Sequence, residues 1–221
     1  MVKVNYQIEM EKKLNMLERT GRTPSLLLHS CCAPCSSYVL ECLTEHFRVT
    51  VFYYNPNIYP REEFEKRLNE QKRLISLVEY KNPVKLIVPE YDEQEFYAAA
   101  AGFESEREGR ARCTQCFRLR LGRTAREAKT RGFDMFSTTL TVSPHKNAQV
   151  INAIGLDIAQ KSGVEFLVSD FKKKNGYKRS IELSAKYGLY RQSWCGCRFA
   201  MGHLGETAEN KLFKSKFSKK D

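Results

Sequence analysis

Short apolar runs alternate with amphipathic stretches along most of this chain. The strand-like runs are SLLLHS, RVTVFYYNPN, PVKLIVPEY, FDMFSTTLTVS and VEFLVSDF. Between them lie helix-like stretches, namely SSYVLECLTEHF, REEFEKRLNEQKRLISLVEY, EQEFYAAAAGF, FRLRLGRTAREAKTRG and NAQVINAIGLDIAQKSG, with SIELSAKYGL after the last run. Such alternation is typical of βαβ units. It predicts an α/β fold with a mostly parallel sheet flanked by helices.

The length of the chain favours one domain. At 221 residues it can bury one substantial core, so we expect a single domain over 1–221 with helical and loop additions toward the C-terminus. The first segment, MVKVNYQIEMEKKLNMLERTGRTPS, is charged and has no apolar stretch of the signal-peptide kind. No later stretch has the apolar length of a membrane span. We therefore expect a cytoplasmic protein without a membrane partner.

The charge of the chain indicates an anionic partner. The formal net charge is +11, and nucleic acid is the first candidate for such a balance. The basic residues gather in REGRARCTQCFRLRLGRTAREAK, in DFKKKNGYKRS and in a basic tail at 205–221. The tail is either disordered or in contact with the partner. Alternatively, the basic residues of each segment are exposed to solvent and contact no partner.

The DFKKKNGYKRS segment combines an aromatic ring with many cations. This mixture suits single-stranded RNA, because rings stack on bases and cations contact phosphates. The predicted tRNA-binding residues are Lys172, Lys173, Lys174, Tyr177, Lys178 and Arg179.

Parallel sheets bind ligands beyond the carboxyl ends of their strands. This rule brings HSCCAPC, NPN, SPHK and DFKKKNG to one common edge. In a nucleotide-binding protein the first of these loops would carry glycines for a phosphate. Here cysteines occupy it, and the chain has neither a GxxxxGK[ST] motif nor a Ser-Gly-Gly turn. The sequence therefore gives no support to ATP use.

Seven of the eight cysteines form three groups. They are Cys31, Cys32 and Cys35; Cys113 and Cys116; and Cys195 and Cys197. In a chain without a signal peptide, thiols for metal or redox chemistry are favoured over disulfides. The eighth, Cys42, shares a helix face with Val39 and Leu43 and is expected in the core.

The spacing within the groups allows two kinds of metal centre. The CxxC pair can chelate from a turn, and the CxC pair can do so from an extended backbone. Cys31 and Cys32 are expected to point in opposite directions and to serve two neighbouring centres. Seven thiols exceed one tetrahedral zinc site, whereas an iron–sulfur cluster takes four and leaves three for a second metal or a redox pair. Spacing favours the iron–sulfur interpretation and leaves zinc open.

Two further polar residues are candidates for proton chemistry. His145 lies in SPHKN at the ligand edge. Alternatively, it is an exposed residue at the start of a helix without a role in proton transfer. Asp170 ends VEFLVSD, so it could carry a proton, orient a lysine or cap the next segment. His29 is either a hydrogen-bonded strand residue or a functional one.

Five blocks of the sequence occur together in the order typical of one known family. They are HSCCAPCSSYV, FYYNPNIYPREEF, RCTQCFRLRL, STTLTVSPHKN and FLVSDFKKKNGYKRSIELSAKYGLYRQSWCGCRF. In these blocks the chain resembles the QueH-type epoxyqueuosine reductases, which finish queuosine at the tRNA wobble position. The resemblance spans nearly the whole chain. It implies a fold of the adenine-nucleotide alpha hydrolase-like group, which is HUP or Rossmann-like.

The resemblance also implies the cofactors. They are a 4Fe-4S cluster and an adjacent iron ion, without cobalamin. The matching ligands are Cys31, Cys32, Cys113, Cys116, Cys195 and Cys197. Some family members have Asp where this chain has Cys35, so the ligand set of the second metal stays open, with Cys35 as a further candidate. The expected catalytic residues are Cys31, Cys35, His145 and Asp170.

The implied reaction removes the epoxide oxygen of epoxyqueuosine with two electrons and two protons, giving queuosine and water. The substrates would be the tRNAs that accept Tyr, His, Asn and Asp. An external low-potential donor such as ferredoxin or flavodoxin is expected, because the chain has no flavin or nicotinamide fingerprint. The alternatives are a tRNA sulfur-transferase of related fold, which would need ATP, and a non-catalytic zinc protein that binds RNA.

Overall fold

Five parallel strands form one sheet in the order β3-β2-β1-β4-β5, in a computed structural model that describes residues 4–201. The strands are β1 Ser25–His29, β2 Arg48–Phe52, β3 Lys85–Ile87, β4 Met135–Thr138 and β5 Glu165–Phe166. In the centre, Leu28 of β1 lies opposite Val51 of β2 on one side and Ser137 of β4 on the other. The predicted α/β fold with a parallel sheet is confirmed.

Helices connect the strands and cover the sheet. They are α1 Tyr6–Thr20, α2 Ala33–Leu43, α3 Arg61–Leu77, α4 Glu93–Ala100, α5 Ala111–Thr130, α6 Ala148–Ser162, α7 Gly176–Lys186 and α8 Arg198–Met201. A single 3-10 turn, Thr139–Val142, follows β4. Three helices begin earlier than the sequence pattern predicted. For α2 the reason is Pro34 in its first turn, where a missing amide hydrogen costs no hydrogen bond.

The two faces of β1 belong to two separate parts of the core. Successive side chains of a strand point to opposite faces of its sheet. Leu26 and Leu28 therefore pack with residues of α1, α2 and α3, which include Leu17, Leu40 and Leu74. Leu27 packs on the other face with residues of α5 and α6, which include Phe117, Leu121 and Ile151.

Two of the predicted strands are shorter than their apolar runs. The run VEFLVSDF supplies only Glu165–Phe166 as β5, because β5 is an edge strand that pairs with β4 alone. The run RVTVFYYNPN ends as a strand at Phe52, and its last residues form a loop that leads toward the ligand edge.

Several predictions lie beyond what the structure describes. The basic tail 205–221 is outside residues 4–201, and a single domain over 1–221 stays a prediction. The likeness to the adenine-nucleotide alpha hydrolase-like group also stays a prediction. Between residues 4 and 201, no helix combines the length and the apolar character needed to cross a bilayer.

Close packing of α6 on β5 depends on one glycine. A Cβ atom built at Gly155 would lie 2.3 Å from Cε1 of the Phe166 ring, too close for the ring to stay in place. On α5, a Cβ atom built at Gly122 would have no heavy atom within 4 Å. The two helical glycines thus differ in the space around them.

We expect Gly155→Ala to lower the free energy of unfolding by about 1–3 kcal/mol, because the added methyl group overpacks this contact. The matched control Gly122→Ala should raise it by up to about 1 kcal/mol, because alanine is the better helix former. Urea denaturation measures both values. Equal effects of the two substitutions would show that α6 does not pack on Phe166 as described.

Candidate metal centre and substrate cavity

Loops from the carboxyl edge of the sheet line two neighbouring cavities. The smaller, of about 110 Å³, includes Asn57 and His145 in its lining, and the larger, of about 410 Å³, includes Cys31 and His145. The HSCCAPC, NPN and SPHK segments therefore share one edge, as predicted. The DFKKKNG loop leads directly into Tyr177, which also lines the larger cavity.

The three cysteines after β1 converge on one point. The sulfurs of Cys31, Cys32 and Cys35 all lie within 4.8 Å of one another, and those of Cys31 and Cys32 are 3.7 Å apart. The prediction that Cys31 and Cys32 point apart is wrong. It assumed extended backbone through both residues, whereas the chain bends at Cys31 before α2 begins. Three thiols this close can hold one metal ion.

A buried polar network fixes the strand end that precedes these thiols. Nδ1 of His29 lies 2.9 Å from Oγ1 of Thr138, and its Nε2 lies 3.1 Å from the carbonyl oxygen of Tyr54. Next along the chain, the hydroxyl of Ser30 donates to Oε1 of Gln71 over 2.9 Å. Burial lowers the pKa of His29 to about 3. Of the two interpretations of His29, the hydrogen-bonded strand residue is confirmed.

The CxxC pair lies in the first turns of α5. This helix runs against the strand direction, so it begins at the carboxyl edge of the sheet. A spacing of three residues on a helix puts Cys113 and Cys116 on one face. The amide of Gly109 donates to the Cys113 sulfur over 3.1 Å. A helix N-terminus favours thiolate charge, which suits metal ligands.

The CxC pair turns back on itself at Gly196. The backbone there has φ +95, so the pair does not adopt the extended conformation from which the sequence analysis allowed it to chelate. The turn brings the amide of Cys197 within 3.4 Å of the Cys195 sulfur. A Cβ atom at Gly196 would lie 3.0 Å from the Ile58 side chain and 3.1 Å from Nη1 of Arg67. Both the backbone angle and the available space therefore favour glycine.

The three cysteine groups meet across the two cavities. Four of the thiols, those of Cys113, Cys116, Cys195 and Cys197, line the smaller cavity. Cys195 lines the larger cavity as well, together with Cys31 and Cys35. Four thiolates are the usual ligand set of an iron–sulfur cluster, so the donors present fit such a group. Cys42 stands apart on α2, where burial raises the pKa of its thiol to about 11.

Thiol–thiol hydrogen bonds leave one readily ionised sulfur in each of two groups. The thiols of Cys32 and Cys35 donate to Cys31 and hold its pKa well below the usual range. A hydrogen bond from the Cys197 thiol lowers the pKa of Cys195 to about 7. Burial raises the pKa of Cys113 and Cys116. Metal binding would release the protons that these thiols still hold.

Two cations, Arg120 and Lys146, line both cavities. Arg120 is 4% exposed, and it donates to neutral oxygens, Oδ1 of Asn55 and the carbonyl of Cys116, each over 3.4 Å. Within the described part of the chain, neither cation has a carboxylate oxygen within 4.0 Å. Burial lowers the pKa of Lys146, but the nearby thiolates outweigh it, so the pKa is raised overall.

A cation withdrawn from water needs nearby negative charge, and the thiols of this site would supply it when they ionise as metal ligands. Neither Arg120 nor Lys146 is among the site residues predicted from the sequence. Lys146 directly follows His145 in SPHKN, and that position at the ligand edge was the available signal. Arg120 lies in a basic stretch and had no signal that distinguished it from exposed arginines.

The two predicted proton carriers lie in different surroundings. His145 is exposed and lines both cavities. Asp170 lines neither of these cavities and instead accepts a hydrogen bond from Nζ of Lys172 over 2.8 Å. Lys172 also donates to the carbonyl oxygens of Thr141 and Lys146, each over 3.3 Å. The Asp170–Lys172 pair thus supports the loop that carries His145, and the catalytic roles of His145 and Asp170 stay predictions.

The predicted tRNA-binding cations are not equally available. Lys174 forms an ion pair with Glu11 at 2.6 Å, and Arg179 forms a two-point pair with Glu41 over 2.7 and 3.0 Å. Lys173 and Lys178 are exposed and form no ion pair among the described residues, so both are available to a phosphate.

A buried ion pair on α3 holds the loop that carries the CxC pair. Nε of Arg67 donates to Oε1 of Glu63 over 2.7 Å, and both side chains are almost fully buried. The Arg67 guanidinium also donates to the carbonyl oxygens of Cys195 over 3.2 Å and Trp194 over 3.4 Å. The hydroxyl of Tyr190 donates to Glu63 over 3.2 Å. Sequence reasoning missed this pair, because REEFEKRLNE shows an amphipathic helix with charges expected in solvent.

Comparison with known proteins decides the family. The family model described as "Epoxyqueuosine reductase QueH" matches residues 26–203. The chain belongs to the QueH family. A relative named "Epoxyqueuosine reductase QueH" from Streptococcus pyogenes serotype M1 is 42% identical over 200 residues, which cover 90% of this chain and 78% of the relative.

Other QueH relatives show the same extent of similarity. One from Staphylococcus epidermidis is 43% identical over 202 residues, covering 90% of this chain and 85% of the relative. One from Thermotoga maritima is 38% identical over 183 residues, covering 80% of this chain and 90% of the relative. The resemblance found in the sequence blocks is therefore confirmed, and the matched region includes all three cysteine groups.

We expect Arg67→Met to lower the free energy of unfolding by about 3–5 kcal/mol, because it leaves the Glu63 carboxylate buried and unpaired. The double substitution Arg67→Met with Glu63→Gln should recover more than half of that loss, because no buried charge then remains unpaired. Urea denaturation of the metal-free chains measures both. A loss below about 1 kcal/mol in the single variant would contradict the buried pair.

Proposed function

We propose that this chain is an iron–sulfur-dependent epoxyqueuosine reductase, an oxidoreductase that converts epoxyqueuosine to queuosine in tRNA as the last step of queuosine biosynthesis. The observation that carries the proposal is the convergence of seven thiols from three distant segments at one edge of the sheet. It is supported by membership of a family whose relatives are named for this activity. The proposed fold group is the adenine-nucleotide alpha hydrolase-like one, in a single domain.

The donor set divides into two proposed metal sites. The four thiols of the smaller cavity, Cys113, Cys116, Cys195 and Cys197, would hold a 4Fe-4S cluster. The three converging thiols of Cys31, Cys32 and Cys35 would hold an adjacent iron ion. When bound, these groups supply single electrons and a Lewis acid for the epoxide oxygen. No cobalamin is required in this proposal.

The remaining residues supply charge and a proton. Arg120 and Lys146 offset the negative charge that thiolates concentrate between the cavities. His145 is positioned at both cavities to deliver a proton to the departing oxygen, which leaves as water after two electrons and two protons. Asp170, through Lys172, holds the loop that carries His145 in place.

The proposal also defines the partners. The substrates are the tRNAs that accept Tyr, His, Asn and Asp, in the cytoplasm, and the net charge of +11 suits them. The electrons come from an external low-potential protein of the ferredoxin or flavodoxin type.

Metal analysis separates this proposal from a zinc protein that binds RNA. We expect anaerobically purified protein to be brown and oxygen-sensitive, with about four to five irons per chain, because a cluster takes four thiolates and leaves three for one more metal. Iron, sulfide and zinc are measured per chain together with the visible spectrum. A colourless protein with one zinc per chain would contradict the proposal.

Serine substitutions test the thiols of the first loop. We expect Cys31→Ser and Cys32→Ser each to abolish conversion of epoxyqueuosine in tRNA and to lose mainly the adjacent iron, because their sulfurs lie in the same group. Cys113→Ser should instead lose the cluster iron and sulfide. Cys42→Ser is the matched control and should keep both iron and activity.

These four variants are compared by iron and sulfide content and by mass analysis of tRNA nucleosides. Full activity of the Cys31 or Cys32 variant would exclude a metal site at this loop. Iron loss in the Cys42 variant would show that Cys42 is a metal ligand and not a core residue.

Neutral substitutions test the tRNA surface. The sequence predicted weaker tRNA binding on removal of charge at Lys172, Lys173 and Lys174, but Lys172 and Lys174 bind acidic groups within the chain. We therefore expect the clearest effect from Lys173→Gln with Lys178→Gln. The slope of log K against log salt is negative, and each lost phosphate contact makes it less negative by about 0.7–0.9.

Binding of tRNA across a salt series measures that slope. The control Lys129→Gln removes an exposed cation in the last turn of α5, at the end of the helix far from the ligand edge, and it should leave the slope unchanged. An unchanged slope in the double variant would assign Lys173 and Lys178 to a solvated surface.

A further inference from the structure

The larger cavity has a lining that the metal chemistry does not use. Its thiols are those of Cys31, Cys35 and Cys195, and the residues from α7 and the following loop form what we term the aromatic wall, namely Tyr177, Arg191, Gln192, Ser193 and Trp194. The cavity volume of about 410 Å³ is in the range of pockets that bind small molecules. The wall therefore has room for part of a substrate beside the thiols.

The two rings of the wall are carried by anchored backbone. Tyr177 follows Gly176, where a Cβ atom would lie 1.9 Å from the carbonyl oxygen of Phe171 and 2.4 Å from the Tyr38 ring. This close approach fixes the start of α7. The backbone of Trp194 is held by Arg67, whose Cζ also lies 5.6 Å from the centre of the indole ring. Because the backbone that carries both rings is already anchored, stacking them on a planar ligand costs less conformational entropy.

Gln192 adds a hydrogen-bonding group to the wall. Its Oε1 is buried and accepts no hydrogen bond from the residues between 4 and 201. A buried acceptor without a donor is costly, so this oxygen indicates a ligand that brings an N–H or O–H group.

We propose that the aromatic wall is the subsite for the guanine-type base of the modified nucleoside, which stacks on Tyr177 and Trp194 and donates an N–H to Oε1 of Gln192. This inference rests on the proposed function. A wobble base lies in a single-stranded loop, and proteins read such bases by splaying them out onto aromatic rings. A base at this wall leaves its substituent in the same cavity as Cys31 and Cys35.

The first experiment uses the chain's one tryptophan as a probe. Anticodon stem–loop RNA with epoxyqueuosine at the wobble position is titrated into the protein while tryptophan emission is recorded. The same RNA with an abasic wobble position is the control. We expect quenching with the base present and none with the abasic RNA. Equal quenching by the two RNAs would overturn the subsite.

The second experiment measures kcat and KM for the iron-loaded protein. Trp194→Ala and Tyr177→Ala should each raise KM about tenfold, the size of effect typical of base–aromatic stacking, with iron content unchanged. Trp194→Phe and Tyr177→Phe keep a ring and should stay within about threefold of the parent. Tyr6→Ala, on α1, removes a ring that lines neither cavity and serves as the matched control.

The outcomes separate this inference from the proposed function. Unchanged KM in both alanine variants of an active enzyme would overturn the subsite and leave the function intact. Iron loss in both variants would assign the two rings to the metal centre and would also overturn it. If the parent converts no substrate, the proposed function fails, and the fluorescence titration alone decides whether the wall binds the base.

Discussion

Parallel pairing of β1 with β2 on one side and β4 on the other is the constraint on which the site depends. It brings the carboxyl ends of three neighbouring strands to one edge, so their loops must lie side by side. The helices return in the opposite direction, so α2 and α5 begin at that edge with cysteines in or beside their first turns. Thiols from groups that lie 78 or more positions apart in sequence therefore become neighbours without any covalent link between them.

Charge burial is the second requirement of this arrangement. The site removes Arg120 from water and partly removes Lys146, and it buries the Glu63–Arg67 pair behind the CxC loop. Burying charge is costly unless opposite charge or hydrogen bonds compensate it. On α3, Glu63 and Arg67 compensate each other's charge, and Tyr190 donates a further hydrogen bond to Glu63. Between the cavities, Arg120 and Lys146 have no carboxylate oxygen within 4.0 Å among residues 4–201, so these cations fit a site in which thiols ionise as metal ligands.

Much of the fold and the cysteine set could be predicted from the sequence, because they depend on local patterns. The alternation of apolar and amphipathic runs determines the parallel sheet, and the sheet in turn determines which loops meet. Local geometry at the ligands could not be predicted. The bend at Cys31 and the turn at Gly196 depend on tertiary contacts, and both reversed the expected backbone conformation.

The supporting charges could not be predicted either, for a related reason. Arg67 and Arg120 have the same sequence context as exposed cations, and only the packing of distant elements buries them. Lys146 differs, because its place beside His145 in SPHKN already put it at the ligand edge. The apparent cluster at Lys172, Lys173 and Lys174 shows the converse. Two of its three charges are engaged by Asp170 and Glu11, which a run of lysines cannot reveal.

An anaerobic activity assay tests whether this chain reduces epoxyqueuosine with its own metal centre. Purified, iron-loaded protein is incubated anaerobically with tRNA that carries epoxyqueuosine and with a low-potential reductant, without ATP and without cobalamin, and the tRNA nucleosides are then identified by mass spectrometry. We expect conversion of epoxyqueuosine to queuosine, which is lighter by one oxygen atom. Unchanged epoxyqueuosine in the presence of fully loaded protein, or a thiolated nucleoside formed only when ATP and a sulfur donor are added, would contradict it.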